Sequence, residues 1–173
     1  MSGTSITPQV SSKNSHVVRV KMKPALDESR IEELMRAGIG VLDFDAGASV
    51  ESDAASGGGA DRSFSSYITF TRDGGYGVLT NESHTLTVIG FVEGPCAMFL
   101  DEEYDGEIIT EKAFQFDRYT VIEDTKSREP ELYQVLRNYD PLQTMSNVTD
   151  EENKGVIYET FHEAEEQGDV LRV

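Results

Sequence analysis

Two side chains near the middle of the sequence could form a nucleophile and its base. Cys96 could supply a thiolate and His84 could take its proton, the pairing that cysteine-dependent acyl transfer requires. Cys96, however, follows Pro95 and precedes the apolar residues 97–99. Because a cysteine in such surroundings is usually a small core residue, the sequence favours a structural role for Cys96 over a catalytic one.

Paired carboxylates form a second candidate for chemistry. Asp43 and Asp45 flank Phe44 at the end of an apolar run, so in a strand both would point to the same side. Carboxylates in this arrangement can bind Mg²⁺ or act as an acid and a base. The sequence offers no recognisable third ligand, so we interpret the pair as acids at the end of a strand.

Two further acidic patterns resemble metal sites only in part. Residues 101–106 hold four carboxylates before a glycine but lack the spacing of an EF-hand loop, and we predict a solvated hairpin turn. His162 and Glu166 are spaced i, i+4, whereas a zinc-protease helix needs a second histidine at the later position. This pair therefore predicts an exposed acidic end of a helix.

Glycine-rich segments complete the set of candidates. Residues 56–60 include three consecutive glycines but are not followed by Lys-Ser or Lys-Thr, so they do not match a phosphate-binding P-loop. Residues 72–75, Arg-Asp-Gly-Gly, are typical of a turn. The sequence accordingly predicts no catalytic, cofactor-binding or metal-ligating residue, and a protein that is not an enzyme.

Charge is the strongest signal of the whole chain. The 173 residues include 32 Asp and Glu but only 15 Lys and Arg, which gives a net charge of −17. Such a protein repels phosphate backbones and anionic lipid surfaces, so we expect neither nucleic acid nor a membrane as a direct partner. Acidic surfaces also suit molar salt, in which the Debye length falls to about 3 Å. The composition therefore indicates a salt-loving source.

Periodicity predicts strands and helices in a definite order. A strand at 16–22 is followed by a helix capped by Asp27 and ending at Gly38, and then by a strand at 39–44. Further strands are predicted at 67–71, 77–80, 84–92, 96–100, 107–116 and 119–122. A short helix at 129–136 precedes a longer one that begins at Thr149 or Asp150 and ends at Gly168, and residues 170–173 form an edge strand or dock on a neighbour.

These elements define the expected architecture. We predict an α+β fold with a mainly antiparallel sheet, a sandwich or partial barrel, one early helix and two C-terminal helices. Residues 1–15 form a flexible arm, residues 16–128 a β-rich core with a long loop at 46–66, and residues 129–173 a C-terminal helical segment with a tail. No secretory signal and no apolar run of about 20 residues is present, so we expect a virion or host-cytoplasmic location.

The polar arm and the long loop suggest a function in assembly. Small subunits interlock in shells, tubes and rings by such extensions, because burial between subunits offsets the cost of ordering them. We therefore predict a non-catalytic structural subunit, in concrete form a head, connector or tail protein of a tailed virus with a halophilic host, whose partners are its own copies and neighbouring subunits. Two alternatives stay open: an acidic inhibitor or DNA mimic that binds a basic partner, and a small metal-dependent hydrolase.

Overall fold

The computed structural model describes residues 16–22, 27–42, 59–138 and 145–173. In these ranges the strands are β1 (Val17–Lys21), β2 (Ile39–Leu42), β3 (Gly75–Thr80), β4 (Leu86–Val92), β5 (Ala97–Tyr104), β6 (Glu107–Gln115), β7 (Arg118–Glu123), β8 (Met145–Asn147) and β9 (Leu171–Arg172). The helices are α1 (Glu28–Arg36), α2 (Gly59–Asp73), α3 (Thr125–Arg128), α4 (Pro130–Arg137) and α5 (Glu151–Gln167). The predicted arm, residues 1–15, lies outside the described residues.

The strands form two sheets, and the predicted α+β class with mostly antiparallel pairing is confirmed. One sheet has six strands in the order β8-β1-β3-β4-β7-β9, and the other has three in the order β2-β6-β5. Within them, β1 and β3 are the one parallel pair among the described strands. Neither sheet closes into a barrel over the described residues. The early strand–helix–strand unit is present, but β1 and β2 belong to different sheets.

The six-stranded sheet is covered on both faces. Because side chains alternate along β3, Tyr76 and Val78 lie on one face of the sheet and Leu79 lies on the other. The first face packs against α4 and α5 through Leu132, Leu136 and Phe161. The opposite face packs against α1, α2 and the three-stranded sheet. Because both faces bury apolar side chains, the molecule has three layers, with the six-stranded sheet in the middle.

Helix α2 is the main correction to the sequence prediction. We predicted a loop through residue 66 and a strand at 67–71, whereas the chain is helical from Gly59 to Asp73. Tyr67 and Phe70 are buried and Ile68 is 44% exposed, which is the pattern of a helix with one packed face. Aromatic and β-branched residues favour strands on average, but packing of this face on the sheets overrides that preference. The predicted turn at 72–75 is instead the end of the helix, where Gly74 has φ 80°.

The C-terminal elements match their sequence signals more closely. Pro130 opens α4, and Asp150 caps α5 by accepting a hydrogen bond of 3.0 Å from the Asn153 amide. Gly168 ends α5 with φ 78°, and residues 171–172 pair with β7 as an edge strand. The sequence analysis did not predict α3 or β8. Both β8 and β9 lie in the six-stranded sheet, so the C-terminal segment packs against the same sheet as the preceding residues.

Candidate functional site

The structure does not bring Cys96 and His84 together. His84 precedes β4 and Cys96 follows it, so the length of a seven-residue strand, about 20 Å, separates them. Cys96 is half-buried, and this burial together with the charge of Asp117 raises the pKa of its thiol to about 11. A thiol with that pKa is protonated at neutral pH and is a poor nucleophile.

Within the described part of the chain, the side chain of His162 contacts a single carboxylate. Its Nδ1 lies 3.0 Å from a carboxylate oxygen of Glu165, the residue beside the predicted partner Glu166. Glu165 also binds Arg118, whose guanidinium lies over the rings of Phe91 and Phe161. Among the described residues, no three His, Cys, Asp or Glu side chains are grouped so that they could hold a metal ion.

Residues 101–106 are mainly strand, which corrects the predicted turn. Strand β5 continues to Tyr104, and the turn consists of Asp105 and Gly106, which both have positive φ, 48° and 84°. This is the geometry that joins two antiparallel strands tightly. Because side chains alternate along a strand, the carboxylates of Asp101 and Glu102 point to opposite faces and do not converge on one cation.

The remaining candidates lie outside the described residues or make only local contacts. Asp43, Asp45 and residues 56–58 lie outside the described residues, and Gly59 and Ala60 form the start of α2. Arg72 and Asp73 make an exposed ion pair with each other, with Nε 2.8 Å from Oδ1. Their contact is local and involves no residue from another element.

The β5–β6 hairpin presents an unpaired strand edge and exposed apolar side chains. Strands β5 and β6 pair over eight residue pairs, whereas β2 covers β6 only at residues 112–115. Among the described residues, no strand pairs with β6 between residue 111 and the turn, and the outer edge of β5 likewise has no partner strand. Phe99 is 67% exposed and Ile108 is 64% exposed, and their register places both side chains on the same face of the hairpin. An unpaired edge with large apolar side chains is a typical pairing surface.

The hairpin is held in place from its other face. The guanidinium of Arg30 in α1 binds both carboxylate oxygens of Glu102, at 3.0 Å from Nε and 2.7 Å from Nη2. On the same face as Phe99, Thr110 donates to Asp101 at 2.6 Å, a contact within the hairpin. The paired hydrogen bonds between Arg30 and Glu102 therefore help to fix the orientation of the hairpin relative to α1 before any partner binds.

A groove of about 540 Å³ lies between α5 and the β7–β9 edge. Its lining includes Arg128, Glu129, Thr160, Glu163 and Asp169. Burial, together with the negative charge of Glu163, raises the pKa of Glu129. The groove therefore favours the protonated form of Glu129 or a cation bound beside it, and it disfavours a bound anion.

The acidic residues of the hairpin and of α5 do not form one surface. Helix α5, which carries Glu159, Glu163 and Glu166, packs on one face of the six-stranded sheet. The β5–β6 hairpin belongs to the layer on the opposite face. A DNA mimic needs a continuous acidic face, and this arrangement separates the two groups from which we had expected it to form.

Sequence reasoning identified none of the exposed apolar residues of the hairpin as a binding surface. Phe99 was assigned to the apolar surroundings of Cys96, and Ile108 to an ordinary strand. The available signal was the composition of β5, whose first half is apolar and whose second half is acidic.

Comparison with known proteins gives no relative for this chain. No family model, no curated protein and no solved structure matches it. Over the described residues, no helix has the length and apolar character needed to cross a membrane. The case for a function therefore depends on the surfaces described above.

Proposed function

We propose that this protein is a non-catalytic subunit that associates with copies of itself through the outer edge of β5. The observation that carries the proposal is the unpaired edge of the β5–β6 hairpin with its exposed Phe99 and Ile108. Pairing of two such edges would join two three-stranded sheets into one of six strands, which satisfies the free backbone groups of both. The more specific assignment to a virion stays a prediction.

The order of residues in β5 favours a second copy as the partner. In an antiparallel pair with its twofold axis at Leu100, Phe99 of each copy lies opposite Asp101 of the other, and Met98 lies opposite Glu102. No carboxylate then directly faces another, whereas parallel pairing in register would place each acid beside its own copy. Because like charges directly opposite each other destabilise a sheet, β5 is compatible with antiparallel self-pairing.

Ionic strength must control this association. Two chains of net charge −17 repel each other at low salt, and molar salt shortens the Debye length to about 3 Å. The exposed apolar side chains can then stabilise the association without long-range electrostatic repulsion between the two chains. We expect the oligomer in about 2 M KCl and expect it to weaken as the salt is diluted.

Light scattering after gel filtration in 2 M KCl tests the proposal. The wild-type chain, with a monomer mass of 19.2 kDa, should elute with at least twice that mass. Phe99→Glu should give a monomer, because the new carboxylate lies opposite Asp101 at both symmetry-related positions. Leu171→Glu is the matched control: it adds the same charge at a 52% exposed position on the β9 edge and should leave the mass unchanged. A monomeric wild type, or dissociation by Leu171→Glu alone, would contradict the proposal.

A further inference from the structure

Three basic side chains from three elements meet at the ring of Tyr133 in α4. The Lys126 ammonium lies 5.9 Å and the Arg137 guanidinium 5.7 Å from the centre of that ring. The imidazole of His84, in the loop between β3 and β4, meets the ring nearly edge-on, with centroids 6.2 Å apart. We call His84, Lys126 and Arg137 with Tyr133 the Tyr133 cluster.

The Tyr133 cluster contains two cations. Several basic side chains of this protein have carboxylate partners, as Arg30, Arg36 and Arg118 do. Within the part of the chain that the structure describes, neither Lys126 nor Arg137 lies within ion-pair distance of a carboxylate. Both cations lie against the ring of Tyr133, so in a chain with about two acids for every base they add positive charge at this position.

Neighbouring basic residues strengthen this positive field. Burial and the charges of Lys21, Arg19 and Arg137 all lower the pKa of His84. Arg19 is buried beneath the surface and donates to the Ser146 hydroxyl at 3.1 Å. An imidazole that is neutral at pH 7 still offers one N–H donor, so it can assist in holding an anion without adding to the repulsion between the cations.

The backbone fixes the position of His84 before any ligand binds. His84 has φ 59°, a left-handed conformation that is uncommon for residues with a side chain. Its amide donates to the carbonyl of Asn81 at 3.1 Å. The buried Asn81 side chain in turn accepts hydrogen bonds from the amides of Thr85 and Leu86 at 3.0 and 3.1 Å. These hydrogen bonds hold the loop backbone at His84 in one conformation.

We propose that the Tyr133 cluster binds a small oxyanion, the phosphate or carboxylate group of a soluble ligand. Arg137 would contribute its planar fork of N–H donors, Lys126 a point charge and His84 a neutral donor. Phosphate and carboxylate share the charge and the acceptor geometry that these three groups require. The net charge of −17 repels anions from the rest of the surface. Saturable binding of an anion would therefore point to a local site such as the Tyr133 cluster.

A titration with inorganic phosphate tests this proposal on the full-length chain. Potassium chloride is replaced by potassium phosphate at constant ionic strength and pH 7.5, and the NMR signals of the His84 and Tyr133 side chains are followed. The variant Lys126→Gln/Arg137→Gln removes both cations. Arg128→Gln is the matched control. Arg128 is an exposed cation in the same helix as Lys126, but it lines the groove beside α5 and not the Tyr133 cluster. A parallel titration with citrate separates carboxylate from phosphate ligands.

The expected result is saturable movement of the His84 and Tyr133 signals with phosphate, citrate or both. The anion that binds more tightly then identifies the ligand class. The double variant should weaken that binding at least tenfold, and Arg128→Gln should change it less than twofold. Thermal unfolding of each variant checks its folding, and Lys126→Gln alone replaces the double variant if the latter is unfolded. Changes no greater than those caused by chloride, or an equal loss in Arg128→Gln, would overturn the proposal.

Discussion

Two glycines in the six-stranded sheet leave room for one aromatic ring. Gly77 and Gly90 are directly paired across β3 and β4, and the ring of the fully buried Phe116 lies against both. A Cβ at Gly77 would lie 2.9 Å from that ring, and one at Gly90 would lie closer still. These glycines are therefore required by close packing and not by backbone conformation.

Substitution of Gly90 by alanine should destabilise the protein by about 1–3 kcal/mol, because neither the rigid ring nor the strand can move away without disturbing the core. Urea unfolding followed by fluorescence or circular dichroism measures the change. Gly155→Ala is the control, since a Cβ there meets nothing within 4 Å and the residue lies inside α5. That variant should gain up to about 1 kcal/mol. Equal stability of Gly90→Ala and wild type would show that Phe116 has room to move.

The pKa of His84 provides a second test at the residue scale. Burial and three neighbouring cations lower it below 6.5, so an NMR pH titration should give a value under 6.5. Arg137→Gln should raise that pKa towards the ordinary value. Between the pKa of the folded state and 6.5, the unfolded chain binds more protons, so this group makes stability rise with pH in that window. A His84 pKa above 6.5 in the wild type would contradict the positive field described for the Tyr133 cluster.

At the scale of elements, the sequence predicted best those helices whose ends carry their own signals. Asp27 and Asp150 cap α1 and α5 as expected, and Gly168 ends α5. Helix α2 has no comparable signal, and its buried Tyr67 and Phe70 are residue types common in strands. What makes this segment helical is its contact with two sheets, which involves residues distant in sequence.

One such contact can be tested through the Tyr67 hydroxyl. This group donates to the carbonyl of Ala113 in β6 at 3.0 Å and so connects α2 to the three-stranded sheet. Tyr67→Phe should cost about 1–2 kcal/mol, because it removes a buried donor and leaves the carbonyl with one bond fewer. Chemical denaturation measures the loss, and Ile68→Ala, at an exposed neighbouring position, should change stability by less than about 0.5 kcal/mol. If Tyr67→Phe left the free energy of unfolding unchanged, water or another donor would have to replace the hydroxyl.

The candidate surfaces could be predicted less well than the fold. The turn at Asp105–Gly106 and the two strands beside it follow from residue types, but the exposure of Phe99 depends on which face of the hairpin packs on the core, where Met98 and Leu100 lie. Similarly, Lys126 and Arg137 are ordinary surface residues in the sequence. Arg137 follows Tyr133 by four residues in α4, so their contact is local to the helix, whereas only the packing of α3 against α4 brings Lys126 to the same ring.

At the scale of the whole molecule, the charge imbalance predicts a dependence on salt. Unscreened repulsion among the excess acids opposes the compact state, so we expect the fold to be lost or the protein to precipitate below about 0.5 M salt. Melting curves from about 0.1 M to 2 M KCl measure this dependence. A melting temperature that stays constant over that range would show that the acidity is not an adaptation to salt.

The antiparallel pairing of β5 is the central claim, and disulfide cross-linking in 2 M KCl tests it most directly. The free thiol Cys96 is first replaced by alanine, and a cysteine is then introduced by Leu100→Cys or, as a control, by Glu103→Cys. The twofold axis at Leu100 brings the two copies of that residue side by side, within the distance that a disulfide spans. It places Glu103 opposite Ala97 of the other copy, away from its own copy. Copper-phenanthroline oxidation should therefore convert Leu100→Cys, and not Glu103→Cys, into a covalent dimer on non-reducing gels. No dimer from Leu100→Cys, or equal yields from both variants, would contradict this mode of assembly.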